Sequence, residues 1–207
     1  MSNSRNRVLI LFAHPSQDRS EVNLPLFEAS AGREGVTRVD LYGEYPDYRI
    51  DIDREQQRLR DHDVVVFMFP LYGYSTPSLL KEWQDLVLEY EFAYGSRGTA
   101  LRGKMFLCAL SAGGSPRAYQ ADGYNHFTIR ELLQPLEQTA TLTGMRYLPP
   151  FALFASRTAV EEQRLEAHLA EGQTRLDALE EGRVDIDRAA DLPMLNDNLA
   201  TAIRSES

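Results

Sequence analysis

The sequence predicts an α/β protein, a three-layer sandwich with a five-stranded parallel sheet of order 2-1-3-4-5 and helices on both faces. Three observations lead there. The apolar runs VLILFA, VVVFMF and MFLCAL have strand length and suit strands buried on both faces. Segments of helical character separate them, so strand and helix alternate along the chain. The 207 residues suffice for one domain with a sizeable core. Right-handed crossovers leave few topologies, and 2-1-3-4-5 is a common doubly wound order for five strands.

The first strand is Arg7–Ala13, followed by the polar loop His14–Ser20. Glu21–Ala31 reads as a helix that tolerates Pro25 in its first turn, and Gly32 and Gly35 close it. Val36–Tyr42 is the second strand. Gly43–Asp51 is an irregular connector, and Ile52–Arg60 a short charged helix with little apolar face. Asp63–Phe69 is the third strand, stopped by Pro70. Leu71–Thr76 is then a short loop with two tyrosines around a glycine. Pro77 pre-sets φ for the helix Pro77–Tyr90, whose apolar face carries Trp83 as a core residue.

Glu91–Gly103 is a long loop and Lys104–Leu110 the fourth strand. Ser111–Phe127 is a second long loop, of the kind that often carries function. Thr128–Thr143 is a helix with a kink expected at Pro135. Met145–Phe154 is the fifth strand, broken by Pro149-Pro150 and so expected at an edge or bulge. Thr158–Glu181 is an amphipathic helix ended by Gly182. The division expected is a domain over residues 1–183 and a polar tail over 184–207.

A net charge of −9 and a pI of about 5.0 argue against a nucleic-acid partner, which calls for a basic stripe. The single cysteine, Cys108, forms no internal disulfide and reads as a small core residue. No apolar run reaches membrane-spanning length, and the N-terminal run is too short for a signal peptide, so a soluble cytoplasmic protein is expected. The four histidines show no metal-ligand spacing, and no metal is expected. Phosphate-loop, dinucleotide-fingerprint and nucleophile-elbow motifs are absent. A receiver domain would need acidic residues where the first strand ends in Ala13-His14.

In this topology ligands bind beyond the carboxyl ends of strands 1, 3 and 4. The loops there are His14–Ser20, Pro70–Thr76 and Ser111–Phe127. The first offers His14, Ser16, Ser20, Asn23 and the free amides of a helix start, which suit a phosphate monoester. From spacing alone Ser20 reads first as a plain helix cap, and second as a phosphate ligand. Asp18 and Glu21 do not help an anion and are expected to point away. Tyr72 and Tyr74 suit a planar ring, or are surface tyrosines. Gly113-Gly114 lets amides approach a ligand closely, or forms a turn. Tyr119 and His126 can donate hydrogen bonds or protons.

The stretches AHPSQDRSEVN (13–23), GEYPDYRIDIDREQ (43–56), FPLYGYSTPSLLKEW (69–83), FAYGSRGTALRGK (92–104), SAGGSPRAY (111–119), LLQPLEQTA (132–140) and LPPFAL (148–153) carry a resemblance. In this order the chain resembles the flavodoxin-like NAD(P)H:quinone oxidoreductases, nearest the ancillary proteins of glutathione-regulated potassium-efflux systems (KefF/KefG type). The resemblance implies FMN, or alternatively FAD, with NAD(P)H as donor and a quinone or similar electrophile as acceptor. It implies a homodimer. As an alternative role it implies a regulatory subunit of a potassium/proton antiporter at the inner face of the cell membrane.

By the same resemblance, His14, Ser20, Glu21, Val22 and Asn23 hold the flavin's phosphate and ribityl end. Pro70, Leu71, Tyr72, Gly73 and Tyr74 line the isoalloxazine. Ser111, Ala112, Gly113 and Gly114 contact its pyrimidine edge. Tyr119 matches a tyrosine that stabilises the reduced ring, and His126 is the candidate for a histidine that follows it, although Asn125 stands at the matching place. Gly73 replaces a frequent tryptophan, which opens the site above the ring. Ser111-Ala112 replaces a usual Thr-Thr. A one-electron flavodoxin carrier is disfavoured, because its hydroxyl-rich phosphate loop is missing after Ala13.

Overall fold

The computed structural model describes residues 5–190, 192–197 and 202–203. Its strands are β1 (Val8–Phe12), β2 (Val36–Asp40), β3 (Val64–Pro70), β4 (Met105–Ser111), β5 (Arg146–Tyr147) and β6 (Phe151–Leu153). The sheet runs β2-β1-β3-β4-β5, all parallel, and β6 also pairs with β4. The expected fifth strand is thus two short pieces. Arg146 lies opposite Met105 and Phe151 opposite Ala109. The interruption falls at Pro149-Pro150, which have no amide to give the ladder.

Strand parity divides the core. Leu9, Leu11, Phe67, Phe69 and Phe106 join one cluster, with Trp83 of α4 (Ser78–Val87) fully buried among them. Val8, Ile10, Phe12, Val66, Met68 and Leu107 join the other. There they meet Phe27 of α1 (Asn23–Ala29) and Leu176 of α7 (Leu165–Glu180). Cys108 is fully buried, and burial pushes its thiol pKa up, as suits a core residue.

Several boundaries differ from the sequence reading. Leu41–Glu44, expected as strand end and connector, forms the short helix α2, capped by the Asp40 carboxylate accepting from Gly43 N at 3.1 Å. The helix kinked at Pro135 is two helices, α5 (Ile129–Leu132) and α6 (Gln134–Thr143), and a capping box of Thr128 and Glu131 opens the first. The last long helix starts at Leu165 instead of Thr158. The preceding backbone is drawn into a turn by Arg164, which donates to Phe154 O at 2.9 Å and Ala155 O at 2.8 Å.

The charged helix α3 (Ile52–Asp61) hides an internal carboxylate. Glu55 is fully buried and accepts from Tyr45 Oη at 2.6 Å, from Trp83 Nε1 at 2.9 Å and from Arg58. These donors come from α3 itself, from α4 and from the connector before α3. The carboxylate therefore ties the helix to the core that its scarce apolar residues hold weakly.

Residue 183 does not mark an end to the packing. Val184, Ala189, Leu195 and Ala202 are buried against the second cluster, and α8 (Ile186–Ala190) lies among them. Asn196 acts as a substitute strand for the sheet edge: it accepts from Ala152 N at 2.9 Å and donates to Ala152 O at 3.1 Å. The buried Arg175 donates to Leu195 O at 3.0 Å and Asn196 O at 3.2 Å. The rest of the predicted tail lies outside the described residues.

Phe151 lies between Arg175 and His168, whose imidazole stacks on it at 4.3 Å. Burial first, and the Arg175 charge second, push the His168 pKa down to about 4. The folded chain keeps His168 neutral, while the unfolded chain takes up a proton below about 6.5. The stabilisation is present at neutral pH and is lost as pH falls from 6.5 towards 4. It amounts to about 3 kcal/mol. His168→Phe keeps the stack and should flatten this loss, leaving the shares of His14 and His62, whose pKa values burial also lowers. Urea midpoints at about pH 7 and about pH 4.5 measure it. An unchanged pH dependence in the variant would refute the assignment.

Candidate functional site

Because all strands are parallel, their carboxyl ends share one edge of the sheet. A cleft of 640 Å³ opens there. Three of the loops around it are the three selected from sequence.

The first loop leaves β1 through Ala13, whose amide still donates to Met68 O at 2.9 Å. His14 is almost completely buried. Its Nδ1 accepts from Ser16 N at 3.1 Å, which places the proton of the neutral ring on Nε2. Burial lowers its pKa, so the neutral form prevails near pH 7. Nε2 lies 3.4 Å from Tyr72 Oη. Ser20 Oγ accepts from Leu24 N at 2.9 Å, so it serves a first-turn amide of α1 from two residues before the N-cap Val22, and only its hydroxyl hydrogen remains to give. The amides of Glu21, Val22 and Asn23 donate to no protein acceptor among the described residues. Asn23 is 2 % exposed and its Nδ2 has no partner among them. An unpaired amide donor of this kind costs on the order of 1–3 kcal/mol unless a ligand meets it. Glu21, expected to point away, is among the lining residues, whereas Asp18 is not.

The second loop turns through Gly73 (φ 55°) and Tyr74 (φ 64°), two consecutive left-handed residues. Leu71 N donates to Ser111 O at 2.9 Å, which joins this loop to β4. A Cβ added at Gly73 would meet nothing within 4 Å, so the space above the glycine is open. Tyr72 and Tyr74 are each half exposed, and Tyr74 Oη donates to Asn125 Oδ1 at 3.1 Å.

In the third loop the carbonyls of Ala112 and Gly114 accept from Ser156 N (3.1 Å) and Ala155 N (2.8 Å). The amide of Gly113 has no protein acceptor among the described residues, while that of Gly114 faces the Tyr119 hydroxyl. A Cβ at Gly114 would lie 3.0 Å from the Tyr119 ring, so glycine lets the tyrosine close in. Tyr119 is buried against Phe154, and burial raises its pKa, which keeps the phenol protonated.

Two expected residues are not brought to the cleft. Ala112 is buried, with its amide on Leu153 O at 2.9 Å and its carbonyl on Ser156, so it supports the loop without lining the site. His126 is exposed, in a left-handed conformation after the Gly123 turn, and its side chain has no hydrogen bond among the described residues. Asn125 stands in the cleft instead, bonded to Tyr74 and Tyr119.

The sequence reading also missed Arg19, Ala118, Tyr124, Ser156 and Arg157 as lining residues. Ser156 and Arg157 follow β6, and the topology alone points to them, since the last strand ends at the same edge. No cluster of metal-ligating side chains occurs among the described residues.

Residues 6–176 match a family model described as a flavodoxin-like fold. The chain belongs to this flavodoxin-like family. It is similar to the uncharacterized NAD(P)H oxidoreductase YrkL of Bacillus subtilis, 44% identical over 72% of this chain and 86% of the relative. It is similar also to the glutathione-regulated potassium-efflux ancillary protein KefG of Cronobacter sakazakii, 43% identical over 76% and 85%. Among solved structures, general stress protein 14 of Treponema denticola in complex with FMN is 37% identical, with a TM-score of 0.79 over 84% of this chain and 99% of that one. An NADPH-quinone reductase from P. pentosaceus is 34% identical, with a TM-score of 0.73 over 82% and 96%. A structure described as a thermophilic tryptophan halogenase from Streptomycin violaceusniger is 45% identical, with a TM-score of 0.79 over 81% and 97%. That name stands apart from the reductase names, and the likeness is one of chain and fold. The resemblance drawn from the sequence motifs is thereby borne out at the level of family. Among the described residues no helix is long and apolar enough to cross a membrane.

Proposed function

We propose that this chain binds FMN in the cleft and is an NAD(P)H dehydrogenase that reduces quinones or related electrophiles. The observation that carries the reading is the unpaired donor set: Asn23 Nδ2 beside the free amides of Glu21 to Asn23, and the free amide of Gly113 on a separate loop. The first group suits a phosphate and the second the pyrimidine edge of a flavin, where reduction adds negative charge. A flavin supplies two-electron, hydride-level redox chemistry when bound. FMN is favoured over FAD because a relative 37% identical holds FMN. The donor and the acceptor class follow the names of the relatives.

The chain's own residues position and polarise. His14 offers a neutral Nε2–H, held by Ser16 and edged by Tyr72. Tyr119 offers a protonated phenol steadied by Asn125. The open space at Gly73, flanked by the exposed Tyr72, Tyr74 and Tyr124, receives the nicotinamide and then the acceptor. NAD(P)H gives up a hydride, solvent supplies one further proton, and the quinone leaves as the quinol with two electrons and two protons gained. A homodimer completes the mouth of the cleft around these tyrosines. One open face serving both substrates in turn requires ping-pong kinetics. Parallel lines in double-reciprocal plots with a soluble quinone are expected, and intersecting lines of a ternary complex would refute the scheme.

The likeness to KefG supports a second reading, in which the chain also docks on the inner face of the membrane as an ancillary subunit of a potassium/proton antiporter. Co-purification with such an antiporter and a change in potassium efflux on deletion are expected. Neither effect would be seen if the chain acts alone.

A further inference from the structure

Arg157, like Arg19 at the other end of the cleft, lines it without an ion pair or side-chain hydrogen bond among the described residues. It sits on the 3-10 turn Ser156–Thr158, which is joined to the glycine loop by Ala155 N to Gly114 O at 2.8 Å and Ser156 N to Ala112 O at 3.1 Å. The turn has its own clamp. Arg164 donates to the carbonyls of Phe154 and Ala155, and Ala155 is held at φ 46°. Ala159, just beyond the turn, is fully buried against Val22 and Leu153.

This framework lays the Arg157 side chain along Gly113. A Cβ added at Gly113 would lie 3.5 Å from Arg157 Nη2 and 3.6 Å from Nε. The neighbouring arginines are spent: Arg164 on Glu162 and backbone carbonyls, Arg117 on Asp122. Arg157 makes no ion pair or hydrogen bond among the described residues. This edge of the cleft thus presents the free amide of Gly113 and an uncompensated guanidinium.

We propose that Arg157 sets the redox potential of the bound flavin, its guanidinium lying beside Gly113 at the pyrimidine edge. The inference rests on the flavin reading above and adds a residue to it. Arg157 is exposed, and a positive charge there favours the form that carries extra negative charge, so it favours reduction. The Gly113 amide dipole alone would leave the reduced form less stabilised. A Cβ at 113 would rest in ordinary van der Waals contact with the guanidinium, so the two groups are neighbours across the edge of the cleft.

The test compares the FMN-loaded native chain with Arg157→Gln and Arg157→Lys, reading the two-electron potential against a reference dye and, separately, the FMN Kd by fluorescence quenching. In Arg157→Gln, FMN affinity should stay within about threefold, while the reduced-to-oxidised ratio at fixed potential falls about tenfold, roughly 30 mV. Arg157→Lys, which keeps the charge, should recover most of that loss. An FMN-loaded Arg157→Gln with the native potential overturns the proposal and leaves the flavin reading standing. So does a large loss of FMN affinity with a native potential at saturation, which assigns the guanidinium to the phosphate. A native chain that takes up no FMN overturns the flavin reading itself.

Discussion

Asn23→Asp is expected to raise the Kd for FMN at least about 100-fold, or about 2.7 kcal/mol, while sparing the fold. The two side chains have nearly the same shape, so the buried space at Asn23 is kept. What changes is the sign of the offer. An unpaired N–H donor becomes a carboxylate oxygen beside the free amides of Glu21, Val22 and Asn23. The carboxylate takes those amides for itself and repels a phosphate. The empty variant should therefore melt no lower than the native chain. Asn23→Leu is the milder control: it removes the unpaired donor, relieves its cost in the empty protein and lowers FMN affinity less. Fluorescence titration with FMN and thermal melts without it separate the effects. Native affinity in Asn23→Asp would show that Asn23 does not face the ligand.

Glu55→Ala is expected to be the most damaging single change to the fold, costing about 3–5 kcal/mol. It leaves the Trp83 N–H and the Tyr45 hydroxyl without their buried acceptor, and Arg58 without one of its carboxylates, its other partner being Glu44. For a chain of this size that corresponds to a fall in Tm on the order of 10 °C. Glu55→Gln keeps an acceptor oxygen and should cost less. Glu55 lies far from the cleft loops in the chain, so surviving folded protein should keep its FMN affinity. A melting change below about 2 °C in Glu55→Ala would mean that the carboxylate is not the tie it is argued to be.

Much of the site was legible because topology places it. Once VLILFA, VVVFMF and MFLCAL are parallel strands, the loops that follow them must share an edge, and His14, Tyr72, Tyr74, Gly113, Gly114 and Tyr119 do line one cleft. What was not legible depends on backbone turns and distant partners. Whether Asn125 or His126 enters the cleft is decided by the left-handed turn after Gly123. A Cβ at Gly123 would lie 2.2 Å from Arg117 O, so glycine is required there. Residue spacing carries no record of that turn. The helix Ile52–Arg60 read only as charged, with no sign of a buried carboxylate, because the donors to Glu55, Tyr45 and Trp83, are 10 and 28 residues away. The segment after Val184 read as a tail because its buried residues fit a surface that exists only after folding, and Asn196 is recognisable as an edge cap only beside Ala152.

The flavin cleft as a seat of two-electron transfer is tested most directly by an anaerobic titration. The native chain is loaded with FMN, then separately with FAD, and NADH or NADPH is added while the flavin absorbance is followed. One equivalent of donor should bleach the FMN-loaded protein, and one equivalent of a soluble quinone should restore the colour. FMN that binds tightly but is not bleached by either donor would contradict the oxidoreductase reading, and a chain that binds neither flavin would contradict the site itself.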